Sequence, residues 1–114
     1  MLRTVRFSAL VLVAWFPGLV PGASQFDRRS VAGTVIDRRG NALRDASVQL
    51  ENTATLSITS YRTDKDGRFH FTRLRDDIDF TLKAHYRSLW SKPRTISQFD
   101  SSKHFEINLV IPTE

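Results

Sequence analysis

Cysteine is missing from this chain of 114 residues. Small exported domains are often held together by disulfides, but no disulfide can form in this chain. The fold must therefore depend on its apolar core alone. The absence also excludes a lipid-anchored cysteine behind a leader segment and any zinc site built from thiolates. We predict no cofactor for this chain.

Long apolar runs are also missing, apart from residues 7–16, which are apolar except for Ser8. This run is shorter than the ~20 residues that a membrane-spanning helix needs. Two arginines precede it and small, helix-breaking residues follow, which is typical of a secretory signal peptide. We predict a signal-peptide helix over residues 1–24, cleaved before Gln25, and therefore an exported, periplasmic or secreted protein with no stable membrane span. An uncleaved N-terminal anchor is the alternative.

Charge of one sign is not concentrated anywhere in the sequence. The net charge is +5 at pH 7, but arginines alternate with acidic residues, as in residues 37–45 and 73–77. This distribution is typical of a mixed, solvated surface and not of a track for phosphates. We predict no nucleic-acid partner.

Helical periodicity is absent from the rest of the chain, which instead shows short alternating segments between turn residues. They are residues 30–37, 47–52, 57–63, 68–74, 80–87, 88–100 and 103–111. Strands with one wet and one dry face suit two antiparallel sheets packed face to face. We predict an all-β fold, a seven-stranded antiparallel β-sandwich over residues 31–112, joined to the leader by a linker at residues 25–30.

The alternation also predicts which side chains face the core. The inward set includes Phe69, Phe71, Phe80, Leu82, Ala84, Tyr86, Phe105, Ile107, Leu109 and Ile111. Pro93 predicts an edge position or a break in the sixth segment, because proline cannot donate to a ladder. Gly33, inside the first segment, predicts a bulge or the close approach of another backbone.

The stretch at residues 63–71 begins like a calcium loop, with Asp64, Asp66 and Gly67. A calcium loop needs further oxygen ligands after the glycine, but Arg68 and an aromatic residue follow here. A hairpin turn is the better interpretation, in which Asp64 accepts backbone hydrogen bonds and glycine supplies a positive φ. Gly40 marks a second such turn.

The sequence shows no recognisable group of catalytic residues. The histidines His70, His85 and His104 are isolated along the chain and fall on the outward faces of their strands. No metal-ligand spacing and no G-x-S-x-G nucleophile pattern occur. We predict no metal site and no catalytic residue, so the protein is not expected to be an enzyme.

Two stretches resemble the carboxypeptidase regulatory-like domain family. The first has its strand–turn–strand pattern at Val31, Gly33, Val35, Asp37, Gly40, Leu43, Ala46, Val48 and Leu50. The second has its hairpin pattern at Thr63, Asp64, Gly67, Phe69, Phe71 and Leu74. The resemblance implies a transthyretin-like (prealbumin-like) sandwich that serves as a non-catalytic accessory module.

The aromatic residues Tyr86 and Trp90 form a candidate ligand-stacking pair, because a tryptophan beside basic residues suits a sugar ring or a partner side chain. The alternative is that Trp90 caps the open end of the core, which the usual burial of large aromatics favours. We therefore predict a module that contacts an unknown protein or glycan of the cell envelope. A carbohydrate-binding module of starch-binding-like fold is the alternative, and the oligomeric state stays open.

Overall fold

Residues 27–113 are the part of the chain that the computed structural model describes, and they contain nine β-strands joined by loops and turns. The strands are Asp27–Ile36 (β1), Ser47–Asn52 (β2), Ile58–Arg62 (β3), Arg68–Arg75 (β4), Phe80–Tyr86 (β5), Leu89–Trp90 (β6), Arg94–Ile96 (β7), His104–Glu106 (β8) and Leu109–Val110 (β9).

The first five strands match the first five predicted segments closely. The sixth segment is divided, with β6 and β7 on either side of Pro93, and the seventh is divided between β8 and β9. Residues 27–113 therefore contain nine strands and not seven. The predicted signal-peptide helix, residues 1–24, lies outside the described residues.

The strands form two sheets, which confirms the all-β sandwich. The first has the order β4–β1–β8, with β9 also pairing with β1, and the second has the order β3–β2–β5–β6, with β7 also pairing with β5. The expectation of purely antiparallel sheets is corrected at one edge, because β8 and β9 both run parallel to β1. Alternation reports which side chains share a face but not the direction of a strand.

Gly33 is where β8 gives way to β9 along the edge of β1. A Cβ atom at Gly33 would overlap the carbonyl oxygen of Ile107, which lies between the two strands. The N–H of Ile107 donates to the carbonyl oxygen of Ala32 at 2.9 Å. The predicted close approach of another backbone at Gly33 is confirmed.

The core lies between the two sheets and consists of the alternating apolar residues. It contains Val31, Val35, Ala46, Val48, Leu50, Phe69, Phe71, Leu74, Phe80, Leu82, Ala84, Ile96, Ile107, Leu109 and Ile111, all buried. Each large apolar side chain that is fully buried contributes roughly 1.5–3 kcal/mol. Tyr86 and Phe105, which were predicted to face inward, are partly buried at the margin of this core.

Arg29 is fully buried at 1% exposure, although the sequence assigns it to the linker at residues 25–30. Its guanidinium donates to three backbone carbonyl oxygens at 2.7–3.2 Å, those of Arg75, Ile78 and Ser97. Two phenylalanine rings lie 5.8 and 6.0 Å from it. Because a buried cation is costly unless it is hydrogen-bonded, these partners fix Arg29 in place, and β1 begins inside the predicted linker.

Candidate functional site

Two turns share the pattern Asp-x-x-Gly, and we call them the first turn (residues 37–41) and the second turn (residues 64–68). In the second turn, Asp64 Oδ1 accepts the N–H groups of Asp66 and Arg68, both at 2.9 Å. The N–H of Gly67 donates to the carbonyl oxygen of Asp64, and Gly67 has a φ of 74°. The bond from the N–H of Arg68 lowers the pKa of Asp64.

The first turn repeats this arrangement. Asp37 Oδ1 accepts the N–H groups of Arg39 and Asn41 at 2.9 and 2.8 Å. The N–H of Gly40 donates to the carbonyl oxygen of Asp37, and Gly40 has a φ of 88°. The bond from the N–H of Asn41 lowers the pKa of Asp37.

The carboxylate of Asp64 is thus engaged with its own backbone. Asp66 is exposed and contributes its N–H, and not its carboxylate, to that turn. Within residues 27–113, no three His, Asp or Glu side chains gather in a way that suits a metal ion. This stretch is a tight turn that carries the chain from β3 in the second sheet to β4 in the first. The predicted aspartate hydrogen bonds and positive φ at Gly67 are present, but the predicted hairpin is wrong, because β3 and β4 pair with β2 and β1 and not with each other.

Trp90 lies on the outer face of the second sheet. It is opposite His85 in the pairing of β5 with β6, and the two rings stack with centroids 4.4 Å apart. Lys83 Nζ lies 4.8 Å from the centroid of the indole. The interpretation of Trp90 as a cap on the core is wrong, because the residue is 43% exposed.

Tyr86 lies on the other face of the same sheet. It is opposite Leu89, and both side chains are partly buried against the core. Successive residues of a strand point to opposite faces, so Tyr86 and Trp90 do not form one surface. The partners of Trp90 are His85 and Lys83 on the outer face of β5.

Trp90 also lines an open cleft of about 510 Å³, which we call the Trp90 cleft. Its apolar lining consists of Trp90, Leu109, Val110 and Pro112. Its polar lining consists of Arg38, Lys92, Arg94 and Asn108. The first turn, the segment from β6 to β7 and the region around β9 therefore meet at this cleft.

Sequence reasoning found only part of this cleft. Lys92 and Arg94 lie two and four residues after Trp90, and the basic residues near the tryptophan were the signal for them. Arg38 and Asn108 are distant in sequence and reach the cleft only because β9 pairs with β1. No local pattern could have indicated them.

A family model for the carboxypeptidase regulatory-like domain matches residues 30–110, which is well over half of the chain. The chain belongs to the carboxypeptidase regulatory-like domain family. The predicted family resemblance is confirmed. No curated protein matches the sequence closely enough to count as a relative.

Solved structures resemble this carboxypeptidase regulatory-like domain in fold. The major pilin subunit of Bacillus cereus aligns with a TM-score of 0.60 and 10% identity over 75% of this chain, which spans only 30% of that pilin. A putative carbohydrate binding protein from Pseudomonas aeruginosa aligns with a TM-score of 0.54 and 13% identity, covering 76% of this chain and 90% of that protein.

A third similar structure is a dioxygenase domain from a dioxygenase carbohydrate-binding protein fusion of Streptomyces sp. SirexAA-E. It aligns with a TM-score of 0.53 and 12% identity, covering 90% of this chain and 97% of that domain. At these identities the three alignments show a shared β-sandwich fold.

The three histidines of this domain lie on separate strands. His70 packs 5.1 Å from the ring of Tyr61, and His104 Nδ1 lies 2.7 Å from Ser30 Oγ. His85 stacks on Trp90 and so orients the indole at the cleft.

A second cleft of about 370 Å³ lies beside β3 and β4, with Arg73 and Phe80 among its lining residues. Both clefts are thus on the described part of the sandwich. No helix within residues 27–113 is long and apolar enough to cross a membrane.

Proposed function

We propose that this chain is an exported, non-catalytic binding module and that its ligand is a glycan of the cell envelope, held at the Trp90 cleft. The observation that carries the proposal is the 43% exposed indole of Trp90, which stacks on His85 and lines an open cleft. An aromatic ring presented in this way offers a flat apolar surface for the C–H face of a sugar.

The size of the cleft supports this proposal. Its volume of about 510 Å³ is within the range of roughly 300–1,000 Å³ that small-molecule sites occupy. One similar structure is described as a putative carbohydrate binding protein, which agrees with a glycan ligand for this fold.

A non-catalytic role is supported by the chemistry of the cleft. The described residues that line it include no carboxylate, histidine, serine or threonine, and lysine is the one side chain among them of a type that serves as a base or nucleophile in enzymes. The similarity to a dioxygenase domain is one of fold, and the described histidines are not gathered at one place.

Export is proposed from the signal-peptide pattern of residues 1–24. Mass spectrometry of the protein recovered from the producing cells tests it directly. We expect a mature N-terminus at Gln25 in the fraction outside the cytoplasm. An intact Met1 in the cytoplasmic fraction would contradict export.

A glycan array tests the proposed function, with the full chain and two matched variants. Trp90→Ala removes the exposed indole at the cleft, and Phe99→Ala removes an aromatic side chain that is 87% exposed and lies outside the cleft lining. We expect Trp90→Ala to abolish binding to the recognised glycans and Phe99→Ala to preserve it. Loss in both variants, or no binding by the parent chain, would contradict the proposal.

A second candidate function is a contact with an extended protein segment at β3. Among residues 27–113 this strand is an unpaired edge of the second sheet. Ile58 at its start is 54% exposed, and Leu56 just before it is 68% exposed. Such edges accept an additional strand. A photo-crosslinker at position 58 tests the contact in producing cells. We expect one crosslinked partner that disappears when a neighbouring Thr59→Lys substitution places a charge on the edge. Absence of any crosslink would contradict it.

A further inference from the structure

Positive charge dominates the polar lining of the Trp90 cleft. Arg38, Lys92 and Arg94 line it, and no acidic side chain does so among the described residues. None of these three cations forms an ion pair within residues 27–113, whereas Arg68 pairs with Glu106 at 2.6 Å on the first sheet. The cleft therefore contains three cations that no acidic side chain within residues 27–113 neutralises.

Hydrogen-bond donors are also in excess in the Trp90 cleft. Asn108 Oδ1 accepts the backbone N–H of Thr34 at 3.3 Å, and its amide NH₂ group adds two donors. Arginine and lysine side chains are donors only. Most polar side-chain groups that line the cleft are therefore donors, and they match a ligand that is rich in acceptors and negatively charged.

The backbone that carries these cations is held in place. Ser91 lies between Trp90 and Lys92, is 5% exposed, and accepts the N–H of Ala84 at its Oγ at 2.8 Å. The N–H of Ser91 donates back to the carbonyl oxygen of Ala84 at 2.9 Å. The hydrogen bonds of the first turn likewise fix the backbone of Arg38. Such preorganisation lowers the entropy that binding costs.

The apolar lining sets a second requirement on the ligand. Trp90, Val110 and Pro112 form a surface that a small inorganic anion would leave uncovered. A neutral sugar would cover this surface but would leave the cations without partners. A ligand that satisfies both parts of the cleft has apolar ring faces and carboxylate groups at its edge.

We propose that the Trp90 cleft binds an acidic saccharide, with the sugar ring against the indole and its carboxylates against Arg38, Lys92 and Arg94. This inference rests on the proposed glycan-binding function and adds the chemical class of the ligand. Arginine is suited to this role because its planar fork pairs with both oxygens of a carboxylate.

Isothermal titration of the full chain tests the proposal with four probes. They are a linear oligogalacturonate, a neutral galacto-oligosaccharide of the same length, inorganic phosphate, and a single-stranded oligothymidylate. We expect the uronate to bind at least about tenfold more tightly than the neutral oligomer or phosphate. We also expect its affinity to fall as salt is raised, because partly exposed charges are screened.

Variants locate the binding. Arg94→Gln and Lys92→Gln are each expected to weaken uronate binding about threefold to tenfold. Arg73→Gln, which removes a cation from the second cleft, is the matched control and is expected to change nothing. Circular dichroism and thermal melting identify any variant that has lost its fold.

Each other outcome overturns a defined part of the account. Equal binding of the neutral and acidic oligomers, unaffected by Arg94→Gln, would overturn the acidic ligand but leave glycan binding intact. Binding of neither oligomer would overturn both. Phosphate binding as tight as that of the uronate would show a site for charge alone, and tighter binding of the oligothymidylate would show a nucleic-acid site.

Discussion

The first and second turns have the same sequence pattern and the same internal hydrogen bonds, but they differ in what surrounds them. A Cβ atom at Gly40 would meet no other heavy atom within 4 Å. A Cβ atom at Gly67 would lie 2.9 Å from Ala42 Cβ and 3.0 Å from both the N of Leu43 and the carbonyl oxygen of Val35. One turn is open, and the other is packed against the chain that follows the open one.

Because of this difference, one turn exposes a side chain for binding and the other stabilises the fold. The open turn carries Arg38 at its second position and exposes it at the Trp90 cleft. The packed turn ties β4 to β1, since the carbonyl oxygen of Gly67 accepts the N–H of Val35 at 2.8 Å. The local motif produces the same backbone twice, and the tertiary surroundings decide whether that backbone serves binding or stability.

The largest expected effect is on the free energy of unfolding, and it differs between alanine substitutions at the two glycines. Gly67→Ala adds a methyl group to a positive-φ position that is already enclosed, and we expect it to lower the free energy of unfolding by about 3 kcal/mol. Gly40→Ala meets only the conformational cost of a positive φ, about 1 kcal/mol. Urea denaturation of the two variants measures the difference. Equal losses would show that packing at the second turn is not what separates them.

The two aspartates are expected to behave alike, in contrast to the glycines. The pKa of each is lowered in the folded state, so each contributes stability that is present above its unfolded pKa and is lost as the pH falls through the folded value. Asp37→Asn and Asp64→Asn keep one side-chain acceptor but remove the titration. We expect each to reduce the loss of stability on acidification by a similar amount.

Urea midpoints measured at about pH 6 and about pH 2.5 check this expectation. Some pH dependence is expected to survive in the double variant, because Asp77 and Asp100 also have lowered pKa values, the first through Arg75 and the second through Ser102. A double variant with the full pH dependence of the parent chain would contradict the role given to the two turns.

The smallest expected effect concerns the second position of each turn. Arg38 and Lys65 both follow the aspartate directly, but only Arg38 is among the residues lining the Trp90 cleft. We expect Arg38→Gln to weaken binding of an oligogalacturonate about threefold and Lys65→Gln to leave it unchanged. Titration of both variants in parallel measures this. Identical affinities would remove the first turn from the binding surface.

Much of this fold could be predicted from the sequence, because a one-sided strand must alternate apolar and polar side chains. Phe69, Leu82 and Leu109 were assigned to the core on that basis and are buried. The close approach at Gly33 also followed from the sequence, since glycine inside a strand indicates a missing side chain that something else requires.

Features that depend on contacts between distant segments could not be predicted. The direction of β8 and β9 against β1 leaves no trace in alternation. The burial of Arg29 depends on carbonyl groups that come from two later loops and the end of β4. For the same reason the sequence alone places Arg29 in a linker.

The candidate site illustrates the same limit. The segment around Trp90 was identified from its aromatic and basic residues, but Tyr86 was paired with it by proximity in sequence. The turn after β5 places Trp90 opposite His85, so the register of the β5–β6 hairpin decides the face on which each aromatic residue lies.

Fluorescence of Trp90 is the most direct test of the claim that this cleft is the binding surface. The chain has two tryptophans, and Trp15 lies in the proposed signal peptide. A Trp15→Phe substitution therefore leaves Trp90 as the only source of indole emission, whether or not the signal peptide has been removed. We predict a saturable change in emission on titration with an oligogalacturonate, with the same midpoint as calorimetry. Calorimetric binding with no change in Trp90 emission would place the ligand elsewhere and contradict the account.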